Sequence, residues 1–218
     1  DLFAGAGGLS EGFIRAGYEP IAHVEIDKAA CFTLQTRAAY YYLKENNKLE
    51  EYYKYLKGEI TRIDFYKKVP DSVLKSVINK PIGDNTNKEI FKQIDTLKGK
   101  QTIDLIVGGP PCQAYSYIGR AALKHRGEED ERTTLYKQYG RFLKKYQPKL
   151  FVFENVPGIK TSGEGRHYAN LKKYFKRIGY QLDDRLINSY DFDVVQKRER
   201  LIIIGWKVGL KFSYPDFK

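Results

Sequence analysis

The 218 residues are 42% hydrophobic and 14% aromatic with a mean hydropathy of −0.55, enough for one α/β domain without disulfide staples and unlike a disordered or fibrous chain. No stretch approaches the ~20 uninterrupted apolar residues of a spanning helix, nothing at the start resembles a signal peptide, and two cysteines cannot build a disulfide framework. These features predict an intracellular protein with no membrane partner. The net charge of +11 suits a polyanion, nucleic acid first, although a lysine-rich solubilising surface gives the same number.

Asp1 to Ala4 reads as the end of a strand, Gly5-Ala6-Gly7-Gly8 as a turn, and Leu9, Phe13 and Ile14 as the apolar face of a helix ending near Gly17. No methionine occurs and Asp1 already sits in a strand pattern, so the sequence reads as a piece of a longer chain. A second strand is predicted over 20–26, closing on Glu25, and a helix from Lys28 through Cys31, Leu34 and Ala38. Two strand-helix units in a row predict a parallel sheet. From about 40 to 80 the pattern is helical and charged, an insertion carrying six tyrosines in 40–42, 52–53 and 55. Their helical spacing beside leucines favours packing over stacking on bases. A short strand is expected over 77–83 and a firm one over 103–107, apolar without alternation as in a buried central parallel strand. Residues 114–133 hold few apolar anchors and read as a mobile loop. A helix over 135–146, a strand over 150–153, a helix over 168–178 and an antiparallel strand pair over 182–189 and 201–206 complete the pattern.

Four segments carry chemistry. A glycine turn between strand and helix lets backbone amides approach a ligand, and an acid ending the next strand, here Glu25, suits ribose hydroxyls. The spacing is not the dinucleotide fingerprint, because a third glycine is missing at its offset. Cys112 follows Pro110 and Pro111 at the carboxyl end of the predicted central strand, where open α/β sheets place active sites, and basic residues downstream can stabilise its thiolate. Cys31 reads instead as core filler on its helix. Glu154-Asn155 stands past another apolar strand, where a carboxyl group can work as acid or hydrogen-bond donor, or simply cap or pair. Gln196-Lys197-Arg198-Glu199-Arg200 is either a solvated turn or a set of arginines for phosphate or a base edge.

Together and in this order, Asp1-Leu2-Phe3-x-Gly5-x-Gly7-Gly8, Gly109-Pro110-Pro111-Cys112-Gln113-x-x-Ser116, Glu154-Asn155-Val156 and Gln196-x-Arg198-x-Arg200 resemble the cytosine-5 methyltransferases over nearly the whole chain. The resemblance implies a Rossmann-like α/β methyltransferase fold, one catalytic domain over 1–218, with a mostly parallel sheet, one antiparallel strand and flanking helices. It implies S-adenosylmethionine as cofactor, held by Phe3, Gly5, Gly7 and Gly8, with Glu25 on its ribose, Ile26 beside its adenine, and Pro110 and Leu135 nearby. An acid after the third strand should bind the adenine amino group, Asp84 in preference to Glu59. No metal is implied.

Cytosine carbon 5 is too weak a nucleophile to attack a sulfonium methyl directly, so the resemblance assigns Cys112 to add to carbon 6, Glu154 to share a proton with ring nitrogen 3, Arg200 to hold the base carbonyl and Arg198 to support it. A base inside double-stranded DNA must first be flipped out, and the loop with Gln113, Ser116, Arg120, Lys124 and Arg126 is expected to close over it. A bacterial restriction-modification enzyme, cytoplasmic and nucleoid-associated, is the leading expectation, against a tRNA methyltransferase or a noncatalytic cofactor-binding module. The target-recognition region and later family motifs are absent, so recognition is expected from a further C-terminal segment or subunit. Asp193 and Lys197 stand where the family more often has glycine and asparagine, which makes the local turn the point to inspect.

Overall fold

Short apolar runs alternating with longer amphipathic stretches fold as parallel strands joined by helices. The computed structural model describes residues 1–111 and 135–216 and divides into two units, one of Asp1 with Phe3–Lys100 and one of Leu2 with Gln101–Lys218.

The first unit is built on strands β1 (His23–Glu25) and β2 (Val77–Asn79), paired in parallel with Val24 opposite Ile78. Asp1 and Ala4 hydrogen-bond to Val24 on the backbone, the amide of Val24 donating to Asp1 O and that of Ala4 to Val24 O. Helices α1 (Gly8–Arg15), α2 (Lys28–Glu45), α3 (Leu49–Leu56), α4 (Arg62–Tyr66), α5 (Asp71–Lys75) and α6 (Asn87–Lys98) complete it. Asp27 caps α2 by accepting from the Ala30 amide at 2.7 Å. Cys31 is core filler, buried with Ala4, Leu34 and Val77, and burial pushes its thiol pKa up. The stretch over about 40–80 comprises the last turns of α2, then α3 to α5, and then β2. Tyr42, Tyr52, Tyr55 and Tyr66 pack against a core of Ala39, Leu43, Phe65 and Val69, with Tyr55 stacked on Phe65 at 4.8 Å.

Both strands of this unit are shorter than the sequence pattern predicts. The β1–β2 ladder closes when the Lys80 amide donates to Glu25 O, and Pro81, lacking an N–H, cannot extend it. Helix α6 is the element that pattern reading passes over, since its apolar stripe is thin, with Ile90 and Ile94 buried among charged neighbours.

The second unit holds strands β3 (Leu105–Gly108), β4 (Leu150–Asn155), β5 (Tyr180–Asn188) and β6 (Glu199–Lys207) in the order β3-β4-β6-β5, with helices α7 (Leu135–Tyr146) and α8 (Arg166–Arg177). β3 and β4 are parallel, and β6 runs antiparallel to both β4 and β5, so it is the one reversed strand. Leu2 bridges in parallel to Gly108. The core is aromatic: Phe151, Phe153, Phe175, Tyr139 and Tyr180 are buried with ring centroids between 4.9 and 6.1 Å apart. Phe151 pairs across the ladder with Gly205, where its ring fills the space a Cβ would take. The Tyr139 hydroxyl lies 3.0 Å from the carbonyls of both Ile106 and Val152, fixing α7 over β3 and β4.

Candidate active site

In the first unit the residues singled out from sequence gather around the carboxylate of Glu25, which is 9% exposed. Its Oε2 accepts from the Gly5 amide at 2.7 Å, and its Oε1 from the amides of Ile26 and Asp27 at 2.9 and 2.8 Å. A carboxylate offers about four acceptor positions, so three are used and one remains on Oε2. The turn it holds is conformationally demanding. Phe3 is at φ 55° and Gly7 at φ 85°, and a Cβ on Gly7 would stand 2.8 Å from Leu34. A bulky side chain in the left-handed region is strained and clusters at ligand sites.

The cradle fits a nucleoside with a charged tail on three observations. No side chain caps α1, which starts at Gly8, leaving first-turn amides for an anionic group. A Cβ at Gly5 or Gly8 would meet nothing within 4 Å, so the backbone is open to a close neighbour. Ile26 is 64% exposed beside Glu25, an apolar surface for a flat ring. Asp84 lies in the turn that follows β2, whereas Glu59 lies between α3 and α4, well ahead of that strand.

His23, which sequence reading passed over, supports this turn. The Ser10 hydroxyl donates to Gly7 O at 3.1 Å, so the His23 Nε2, 3.2 Å from that hydroxyl, must be the donor to it. His23 Nδ1 is buried without a partner among the described residues. Burial above all, then nearby positive charge including Arg37, lowers its pKa to about 3, so the ring is neutral. The available signal was the pairing of a histidine in an apolar strand with a serine just past the glycine turn.

In the second unit the register of β4 on β6 assembles the other group. Glu154 pairs with Ile202, and Arg200, two residues before it, falls on the same face. Arg200 Nε lies 2.7 Å from Glu154 Oε1, and the two side chains are 25% and 26% exposed. Gly109 lies beneath this carboxylate, since a Cβ there would be 2.4 Å from Glu154 Oε2. Asn155 points to the opposite face and is buried. Its Nδ2 donates to Pro110 O at 3.2 Å, and its Oδ1 accepts from the Val156 amide at 2.9 Å. This residue ties the segment leading into Cys112 to the end of β4.

The other expected residues are placed less tightly. Arg198 is exposed, and its backbone rather than its side chain holds the turn, donating to Asn188 Oδ1 and accepting from the Ser189 amide. Leu135 is half-buried at the start of α7. Asp193 adopts φ 60°, a left-handed conformation that explains why glycine suits this position and that aspartate tolerates better than most residues. Cys112, Gln113, Ser116, Arg120, Lys124 and Arg126, with the predicted loop over 114–133, lie outside the described residues. No group of three metal-ligating side chains occurs among the described residues, and no described helix is long and apolar enough to cross a membrane.

Comparison with known proteins places the chain in a family. The family model for C-5 cytosine-specific DNA methylases matches residues 1–65 and 72–218. The chain is 38% identical to type II methyltransferase M.Bpa9945I of Bacillus paralicheniformis, covering all of this chain and 55% of that protein. It is 36% identical to type II methyltransferase M.XorII of Xanthomonas oryzae pv. oryzae, covering 99% of this chain and 42% of that one. Among solved structures, a putative DNA modification methyltransferase encoded within a prophage of E. coli aligns with a TM-score of 0.61 and 25% identity, over 98% of this chain and 48% of that one. The S. pombe Dnmt2 methyltransferase, at 17% identity and a TM-score of 0.54 over 98% of this chain and 51% of its own, shares the fold. The chain spans about half the length of the curated relatives it matches. With the glycine turn, the Glu154–Arg200 pair and the Pro110–Asn155 tie in family order, the chain belongs to the C-5 cytosine-specific DNA methylase family.

Proposed function

We propose that this chain is the methyl-transfer part of a DNA (cytosine-5) methyltransferase of a restriction-modification system, acting on a flipped-out cytosine in double-stranded DNA. The observation that carries the proposal is the contact of Arg200 with Glu154 above Gly109, beside Pro110, which Asn155 anchors. In this reading Phe3, the Gly5 to Gly8 turn, Glu25, Ile26, Asp84, Pro110 and Leu135 hold S-adenosylmethionine. Bound there, S-adenosylmethionine supplies a methyl group on an electrophilic sulfonium.

The chain's own residues prepare cytosine to accept it. The Cys112 thiolate adds to carbon 6 and pushes electron density onto carbon 5. Glu154 holds the proton shared with ring nitrogen 3, and Arg200, fixed on the adjoining strand, both orients that carboxylate and donates to the base carbonyl. Arg198 supports the turn. Loss of the carbon 5 proton then expels Cys112 and restores the ring. Gln113, Ser116, Arg120, Lys124 and Arg126 contact the extruded base and its phosphates. Target choice resides in sequence beyond these motifs, which the greater length of the relatives supports. The enzyme works on DNA in the cytoplasm, at the nucleoid.

Tritiated methyl transfer by the complete protein to duplex DNA and to tRNA, with the labelled base identified, tests the proposal. Label in 5-methylcytosine of DNA, abolished by Cys112→Ala, is expected. Label confined to tRNA would overturn the substrate, and full activity of Cys112→Ala would overturn the mechanism.

A further inference from the structure

Helices α7 and α8 contain no acidic residue, their sequences being LYKQYGRFLKKY and RHYANLKKYFKR. Lys137, Arg141, Lys144 and Lys145 recur at i, i+4, i+7 and i+8, one face of α7. Arg166, Lys173, Lys176 and Arg177 recur at i, i+7, i+10 and i+11, one face of α8. All eight are exposed. Tyr174 joins the two stripes. Its ring packs on Tyr136 at 5.7 Å and fills the space left by the missing Cβ of Gly140, while Lys144 from α7 and Arg177 from α8 approach it within 5.7 and 5.5 Å.

Like charges at these spacings repel, and three acids of this unit pair with cations outside the two stripes. Asp184 is held by Lys160 at 2.6 Å and Lys172 at 3.8 Å, Asp183 by Arg185, and Asp104 by Lys149. Lys137, Lys144, Lys173 and Lys176 have no ion-pair partner among the described residues. In the first unit, by contrast, helices α3 to α5 carry acids of their own, and Lys54 and Lys68 pair with Glu51, Lys67 with Asp64, and Lys75 with Asp71. The ridge is set apart because neither of its helices supplies an acid. Its C-terminal half also stands away from the chemistry. α7 ends at Tyr146 before β4 starts at Leu150, and α8 ends at Arg177 before β5 starts at Tyr180, so Lys144 and Arg177 lie by the beginnings of strands, whereas Glu154 is near the far end of β4.

We propose that the α7–α8 ridge docks the phosphate backbone of a stretch of duplex DNA other than the one that presents the target cytosine, adding a sequence-independent grip on long DNA. This rests on the reading that the substrate is DNA. The stripes run about 12 and 16 Å along their helices at 1.5 Å per residue, long enough to follow several phosphates of one strand at about 3.4 Å of axis each.

The test uses the complete protein and a Lys137→Gln, Lys144→Gln, Lys173→Gln, Lys176→Gln variant. Binding is followed by fluorescence anisotropy against salt, on a long duplex and on a target-bearing duplex of about one and a half turns, ~16 base pairs. On long DNA the salt slope is expected to fall by about two to four, each lost contact costing about eightfold in affinity at 0.1 M salt. Methyl transfer on the short duplex should keep its kcat and KM, which also shows that the variant folds. The corresponding four-arginine variant should bind as the unmodified protein does. An unchanged slope on long DNA would overturn the proposal, as would equal losses on both duplexes, which would assign these lysines to the target-bearing segment. Failure of the unmodified protein to methylate any DNA would overturn the functional reading alone, since the salt slope is read without turnover.

Discussion

Glu25 and Glu154 both stand at the carboxyl end of a parallel strand, yet their carboxylates meet different fates. After Glu25 the chain turns at once into α2, freeing the amides of Ile26 and Asp27 to fold back onto Oε1 while Gly5 takes Oε2. After Glu154 the strand continues through Asn155 paired with β6, so neighbouring amides belong to the ladder and the carboxylate finds a side chain, Arg200. One glutamate is built into the backbone of its turn. The other is held by a single ion pair, partly open to solvent, and can exchange that partner for a substrate. The surroundings differ in the same sense: the first unit buries Ser10, His23, Glu25 and Asn87, whereas the second buries a cluster of aromatic rings with Asn155 and Ser162.

The largest effect that can break this contrast is on turnover. Glu154→Gln should lower kcat by about 10²–10⁴, the range for a positioned proton-transfer group. Its melting temperature should barely move, since a partly exposed pair contributes about 0–1 kcal/mol. Single-turnover methyl transfer and a thermal melt on the same preparation read both. A variant that melts much lower would make Glu154 structural, like Glu25.

Glu25→Gln should behave the other way round. The amide keeps one acceptor oxygen but turns an NH₂ group toward backbone donors that are already buried, at about 1–3 kcal/mol for a donor left unsatisfied. Stability and S-adenosylmethionine affinity should fall together, while kcat at saturating cofactor stays within a few-fold. Calorimetric titration of the cofactor and urea unfolding separate the two readouts. Unchanged unfolding with cofactor binding lost would mean that Glu25 serves the ligand alone.

These two sites were legible in the sequence to different depths. The glycine turn, Glu25, Glu154 and the arginines stood out because each occupies a strand end or turn, where few residue types satisfy the backbone. The contact of Glu154 with Arg200 was not legible, because it depends on the register that sets Glu154 opposite Ile202. Strand limits were misjudged for a related reason. β1 and β2 stop where their partners stop, whereas β4 runs on through Asn155 because β6 continues to pair with it. Helix α6 was missed because Ile90 and Ile94 are few among charged residues, whereas the packing of the tyrosine-rich stretch was legible from its helical spacing, though not that Phe65 is buried among those rings.

The smallest and most discriminating effect concerns His23, which links β1 to the glycine turn through Ser10 and Gly7. Its ring already donates from Nε2, so a second proton would go to Nδ1, which has no acceptor among the described residues. The folded pKa of about 3 lies below the unfolded value of 6.5, and between them the unfolded chain binds the extra proton. Stability is therefore full above pH 6.5 and declines as the pH falls toward 3, by up to about 1.4 kcal/mol per unit. Urea unfolding at pH 7 and pH 5 should show the unmodified protein losing up to about 2 kcal/mol more than His23→Gln, which cannot take up this proton. Cofactor affinity of the folded protein should not change over the same interval, because the folded ring that steadies Gly7 stays neutral down to about pH 3. Equal losses in both proteins would place the acid sensitivity elsewhere and leave the polar interior of the first unit no more vulnerable to protons than the aromatic core of the second.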